Sequence, residues 1–183
     1  TTGLQNVALG RDALGAADGG EADNTALGAY AMQSSNHNST ADNVFIGVQA
    51  GKGGTGAQSR NVGIGYLSLG GSGGSAQGNN VAVGYQAGGD STTASGSVFL
   101  GYSAGHTVTT GNQNIAIGKG AMDGGVTTGD NNSAFGWRAL QKNTTGYYNS
   151  AFGSNALYLN TTGISNTASG WYALVNNTTG SNN

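Results

Sequence analysis

Residues 149–163 read N-S-A-F-G-S-N-A-L-Y-L-N-T-T-G. Asn149 is followed by a small residue, Ala, an apolar residue and Gly153, and Ala156 and Leu157 stand three and four residues after that Gly. The phrase recurs along the chain. Its Gly is Gly10, Gly28, Gly47, Gly65, Gly84, Gly101, Gly118, Gly136, Gly153 and Gly170, with successive gaps of 18, 19, 18, 19, 17, 17, 18, 17 and 17 residues. So constant a period marks a stacked repeat architecture before any local secondary structure is considered.

Aligned on that Gly, the copies form columns. Four residues before it stand Asn6, Asn24, Asn43, Asn61, Asn80, Ser97, Asn114, Asn132, Asn149 and Asn166. Side-chain amides repeated in this way can hydrogen-bond along a stack, so the Asn residues are read as a structural ladder. One residue before the Gly stand Leu9, Leu27, Ile46, Ile64, Val83, Leu100, Ile117, Phe135, Phe152 and Ser169. Nine of these ten are apolar, and these nine are expected to form the core. The residue three before the Gly shares their strand face, and the residue between, mostly Ala, points the opposite way. The Gly itself suits a bend or a close backbone approach.

A strand every 17–19 residues is too frequent for βαβ units, and helix–helix repeats need about 33 residues or more. The spacing predicts an all-β parallel solenoid of about ten coils of 17–19 residues, each with two or three short strands, stacked roughly 4.8 Å apart. Residues 1–183 are expected to form one repeat domain. Residues 6–83 have looser connectors. Residues 84–180 are tighter and carry Thr pairs at Thr92-Thr93, Thr109-Thr110, Thr127-Thr128, Thr144-Thr145, Thr161-Thr162 and Thr178-Thr179. Thr1 and Asn183 both fall within the pattern, so we expect a segment of a longer repeat.

The 183 residues include 36 Gly, no Pro and no Cys, with six basic and eight acidic side chains. Disordered chains usually carry more charge and have no reason to keep register. The absence of a basic stripe argues against nucleic acid as a partner. No apolar run approaches the roughly 18 residues that would span a bilayer, so no membrane insertion is expected.

Each coil offers two or three apolar side chains, worth about 1.5–3 kcal/mol each when buried. Ordering its residues costs roughly 1–2 kcal/mol apiece. A lone coil stack is therefore marginal. The Ala column would admit a second backbone, with Phe45 and Phe99 plugging that contact. The residue after the Gly is often aromatic: Tyr66, Tyr85, Tyr102, Trp137 and Trp171. These five are candidates for an interface or for stacking on sugars. A side-by-side homo-oligomer follows.

The stretches N-V-A-L-G at 6–10, N-N-V-A-V-G at 79–84 and N-I-A-I-G at 114–118 resemble the head repeats of trimeric autotransporter adhesins. The longer period and the N-T-T-G connectors are similar to fibre shafts of bacteria and of phage tail fibres. The likeness covers residues 6–180. It implies a left-handed parallel β-roll packed as a homotrimer, in an extracellular fibre on a bacterial surface or a virion. As an adhesin it would contact a host or prey surface through glycans or a receptor; as a shaft it would have no ligand.

Individual sites are sparse. His37 has Asp42 five residues on and is a candidate metal or glycan position, against the alternative of a solvated loop. His106 has no acidic neighbour in sequence. The carboxylates are scattered, and of Asp12, Asp90, Asp123 and Asp130, which lie in different coils, only Asp123 and Asp130 are near one another, so neither an enzyme nor a metal or other cofactor is expected. Gly51-Lys52-Gly53-Gly54-Thr55-Gly56 lacks the order of a phosphate loop. The Thr pairs suit β-turns at coil corners. They also raise ice binding as a third function, although adjacent Thr residues on a strand give only one outward column. Asn-x-Ser/Thr sequons occur at Asn38, Asn143, Asn160, Asn176 and Asn177.

Overall fold

The computed structural model describes residues 5–15, 20–33, 40–53, 57–71 and 77–183. His37, Asn38 and Gly54–Gly56 lie outside the described residues. The chain is an all-β parallel solenoid. Its main sheet contains β1 (Val7–Leu9), β2 (Thr25–Leu27), β3 (Val44–Ile46), β5 (Val62–Ile64), β7 (Val81–Val83), β8 (Val98–Leu100), β9 (Ile115–Ile117), β10 (Ser133–Phe135), β11 (Ser150–Phe152) and β12 (Thr167–Ser169), paired in that order. A second sheet pairs β4 (Gln58–Ser59) with β6 (Gln77–Gly78). Isolated parallel bridges link Ala22, Ala41 and Ser59, and Val108 with Thr127.

Every main-sheet pair is parallel and matches column to column, as in Ala134↔Ala151 and Phe135↔Phe152. The strands are three residues long because the repeat Gly ends each one at a φ of 125–139°. The rest of the coil turns sharply. In the coil of Gly153, the residues five before and two and four after it, Tyr148, Asn155 and Leu157, have φ of 57°, 55° and 51°. Left-handed backbone at a non-Gly residue costs about 1–2 kcal/mol, and here it recurs in register from coil to coil.

The coil interior is the reverse of the sequence expectation. The middle residue of each strand points inward: Ala26, Phe45, Ala82, Phe99, Ala116, Ala134 and Ala151 are fully buried. The Ala three after the Gly joins them, followed by a larger residue at four after: Ala139 with Leu140, Ala156 with Leu157 and Ala121 with Met122. Leu9, Leu27, Ile46, Ile64, Val83, Leu100, Ile117, Phe135 and Phe152 lie on the outer face instead. Leu9 is 72 % exposed and Phe152 44 %, and Leu27, Leu100, Ile117 and Phe135 are partly exposed. The cause is the narrow cross-section. Two backbone walls this close leave room for Ala on the strand and one Leu or Met from the corner. The branched side chains at the other two strand positions stay outside.

Phe45 and Phe99 are therefore core residues, not plugs of an outer contact. Space for them comes from Gly. A Cβ on Gly51 would lie 2.8 Å from the Phe45 ring, and Gly63 sits opposite Phe45 in the next strand. Gly88 and Gly105 play the same part around Phe99. Where the strand carries Ala, the corner carries Leu or Met, except that the Ala82 coil has Gly88, which makes room for Phe99 of the next coil. Gly105→Ala is expected to cost about 1–3 kcal/mol by overpacking, because its methyl would run into the Phe99 ring. Combining it with Phe99→Leu relieves that contact. Urea unfolding of both single variants and the double variant should give a double-variant loss smaller than the sum by at least about 0.5 kcal/mol; strict additivity would refute the packing.

Candidate functional site

Three features lie on this frame. The first is a hydrogen-bonded ladder. Asn149 donates its backbone N–H (3.0 Å) and Nδ2 (3.1 Å) to Asn132 Oδ1, and Nδ2 also to the Gly163 carbonyl at 2.8 Å. Asn166 repeats this towards Asn149 Oδ1, at 3.0 and 3.1 Å. Equivalent links join Asn6 to Asn24, Asn24 to Asn43, Asn43 to Asn61, Asn61 to Asn80 and Asn114 to Asn132. Ser97 takes one rung, donating N–H to Asn80 Oδ1 and accepting the Asn114 N–H on Oγ.

A second Asn ladder was not anticipated. Asn160 Nδ2 donates to Asn143 Oδ1 and to the Gly163 carbonyl, and Asn177 Nδ2 does the same towards Asn160 and Gly180. Its signal is the Asn of the T-T-G connectors, which recurs every 17 residues at Asn143, Asn160 and Asn177. Asn143 and Asn160 are fully buried and bonded, so these sequons are closed to modification in the folded chain. In the Thr pairs of the next columns, the first hydroxyl bonds onward, as Thr144 Oγ1 to the Thr161 carbonyl. The second points out at Thr110, Thr128, Thr145, Thr162 and Thr179, which gives a single exposed column.

The second feature is the outer face of the main sheet. Two apolar columns run along it, one through Val44, Val62, Val81, Val98 and Ile115 and one through the residues misread as core. Phe135 and Phe152 stack there with centroids 5.1 Å apart. Beside them Tyr66, Tyr85 and Tyr102 stack at 5.2 and 5.0 Å, and Lys119 Nζ lies 5.4 Å from the Tyr102 ring. Trp137 lies under the Arg138 guanidinium at 4.6 Å, and Trp171 meets Tyr172 edge-on. The stacked Tyr rings spend their faces on one another. That suits a packed surface better than face-on sugar contacts.

The third feature comprises two polar groupings created by stacking. His106 Nδ1 lies 3.3 Å from Asp123 Oδ1 and Nε2 lies 3.8 Å from Asp90 Oδ1, so carboxylates from two other coils flank it. One-dimensional distance hid both partners. The hydrogen bond to Asp123 raises the imidazole pKa above 6.5, partial burial opposes this, and the charges of Asp90 and Asp123 support it. Stability from this trio is fully present below the unfolded value of about 6.5 and is lost as pH rises through the raised folded value. The loss should be small, about 1 kcal/mol or less, for a partly exposed group. Urea midpoints of wild type and His106→Asn at pH 5.5 and 8.5 test it. The wild type should lose stability relative to the variant at the higher pH, and parallel behaviour would refute the pairing.

Asp130 is not part of that trio. It lines a cleft of about 310 Å³ with Thr128, Gly129, Asn131, Thr145, Tyr147 and Tyr148. Among the described residues no three His, Asp or Glu side chains are grouped to hold a metal ion, and no helix is long and apolar enough to cross a membrane. The chain matches no family model, no curated protein and no solved structure.

Proposed function

We propose that the chain is a rod-forming segment of an extracellular homotrimeric fibre, with its outer apolar sheet faces packed against one another. In this form it is a left-handed stack of about ten coils, roughly 45–48 Å long, that projects or touches a partner surface and catalyses no reaction. The observation that carries the reading is the uninterrupted apolar outer face: Val62, Ile64, Val81, Val83, Val98, Leu100, Ile115 and Ile117 side by side in consecutive strands. A surface of that extent is an assembly face, since monomers rarely leave so large an apolar patch in water. Three copies rather than two follow from the resemblance to adhesin heads. Repeats whose columns satisfy one another along the stack fit a structural part.

Charges placed in the middle of the face test it. The combined Ile64→Lys and Ile117→Lys variant should sediment as single chains, while Thr145→Lys with Thr162→Lys, on the exposed Thr column, should leave the assembly intact. An unchanged assembly in the Ile variant would overturn the proposed packing.

A further inference from the structure

The cleft beside Asp130 is where the repeat departs from itself. Six residues before the repeat Gly, consecutive coils carry Ser95, Asn112, Asp130, Tyr147 and Ile164. A small side-chain ladder runs down this column. Ser95 donates its N–H to Asn112 Oδ1 at 3.0 Å, and Asn112 donates its own to Asp130 Oδ1 at 2.6 Å. At Tyr147 the ladder stops, because a phenol ring carries no acceptor near its Cβ. Among the described residues, no acceptor takes the Asp130 N–H. Asp130 Oδ2, the Asn131 side-chain amide and the hydroxyls of Thr128, Thr145 and Tyr147 likewise make no hydrogen bond to a described residue. One carboxylate oxygen is thus anchored by Asn112 while the other is left open.

The aromatic part is arranged differently from the stacked Tyr column. Tyr147 and Tyr148 meet edge to face at 75° with centroids 5.3 Å apart and are 41 % and 59 % exposed, so the contact covers at most one face of one ring and leaves the other faces open. The Tyr148 N–H donates to the Asp130 carbonyl at 3.2 Å, which fixes the corner against the carboxylate. Open aromatic faces beside a carboxylate, an amide, hydroxyls and a free N–H make up a site for a ring with one apolar C–H face and a polar rim. That is a pyranose. The volume lies at the lower end of small-molecule sites and accommodates one or two sugar units.

We infer that this cleft is a saccharide subsite, in which a pyranose stacks on Tyr147 or Tyr148 and its hydroxyls donate to Asp130 Oδ2 and accept from the Asp130 N–H. The inference rests on reading the rod as a segment that contacts a glycan surface. Saturation-transfer NMR tests it on the whole chain, with the methyl glycosides of glucose, galactose, mannose and N-acetylglucosamine at millimolar concentration. At least one should receive saturation. Its apparent affinity should fall tenfold or more in Tyr147→Ala and several-fold in Asp130→Asn, which keeps the acceptor for Asn112. Tyr85→Ala and Trp171→Ala should bind as wild type. If a sugar binds and only the Tyr85 and Trp171 variants lose it, the cleft is refuted while the glycan-contacting rod stands. If no sugar of the panel binds, the subsite is refuted, and the mass of the same sample by light scattering reports separately on the assembly.

Discussion

Gly136→Ala will destabilise the rod by about 3–5 kcal/mol, and Gly170→Ala by about 1–3, although both Gly residues occupy the same column. Their backbones match, at φ +136° and +126°. That region is close to closed for any residue with a Cβ, so both variants carry the strain. Only Gly136 faces another backbone. A Cβ there would lie 2.6 Å from both the carbonyl carbon and the oxygen of Gly153, whereas nothing lies within 4 Å of one on Gly170. The neighbouring coil cannot yield, because the Gly153 N–H is held by the Phe135 carbonyl at 2.8 Å and the Gly136 N–H by that of Ile117 at 2.8 Å. Guanidinium unfolding of the two variants makes the comparison. Equal losses would mean that the column serves conformation alone and not close approach.

Asn149→Ala will cost a similar amount, about 3–5 kcal/mol, through the polar groups it strands. Asn149 is fully buried, and its amide serves three residues. Without it the Asn166 N–H is left unpaired in a place that water does not reach, at about 1–3 kcal/mol, while the Gly163 carbonyl keeps only the Asn160 amide, Asn132 Oδ1 only the backbone N–H of residue 149 and Asn166 Nδ2 only the Gly180 carbonyl. Asn149→Ser should recover about 1–2 kcal/mol of that loss, because the natural Ser97 rung already receives the next N–H on its Oγ at 3.1 Å. Hydrogen exchange should show the same order, with the Asn166 amide fastest in the Ala variant. A Ser variant no better than Ala would refute the ladder as a chain of individually satisfied donors.

The period, the parallel stacking and the Asn column were legible in the sequence because each is a property of constant spacing, and identical residues in stacked coils must meet. What spacing could not give was the inward direction. Bulk was taken as the mark of burial, and Ile64 or Phe152 was set inside. The coil is too thin for that, and Ala151 with Leu157 fills it instead. The counterpart signal was present: Phe appears in the strand centre only at positions 45 and 99, and each coil that carries it has Gly, not Leu or Met, four after the repeat Gly. That exchange of volume between two columns is what a shared interior requires. Sites that depend on three coils at once, such as Asp90, His106 and Asp123, were hidden because each coil supplies one residue of the group. Tyr147-Tyr148 keeps the T-T-G-x-x-N spacing and differs from Asn112-Gln113 and Asp130-Asn131 only in being aromatic, so spacing showed no cleft, whose other wall comes from Asp130 in the preceding coil.

The inverted interior makes the assembly claim sharper. The Val, Ile and Leu side chains of the strands, with Phe135 and Phe152, are outside, so a second copy covers them or they remain in water. Multi-angle light scattering on the wild-type chain at micromolar concentration tests this most directly. The account predicts a single species of about 54 kDa, three times the 18.0 kDa chain. A stable, folded species of 18.0 kDa would contradict it.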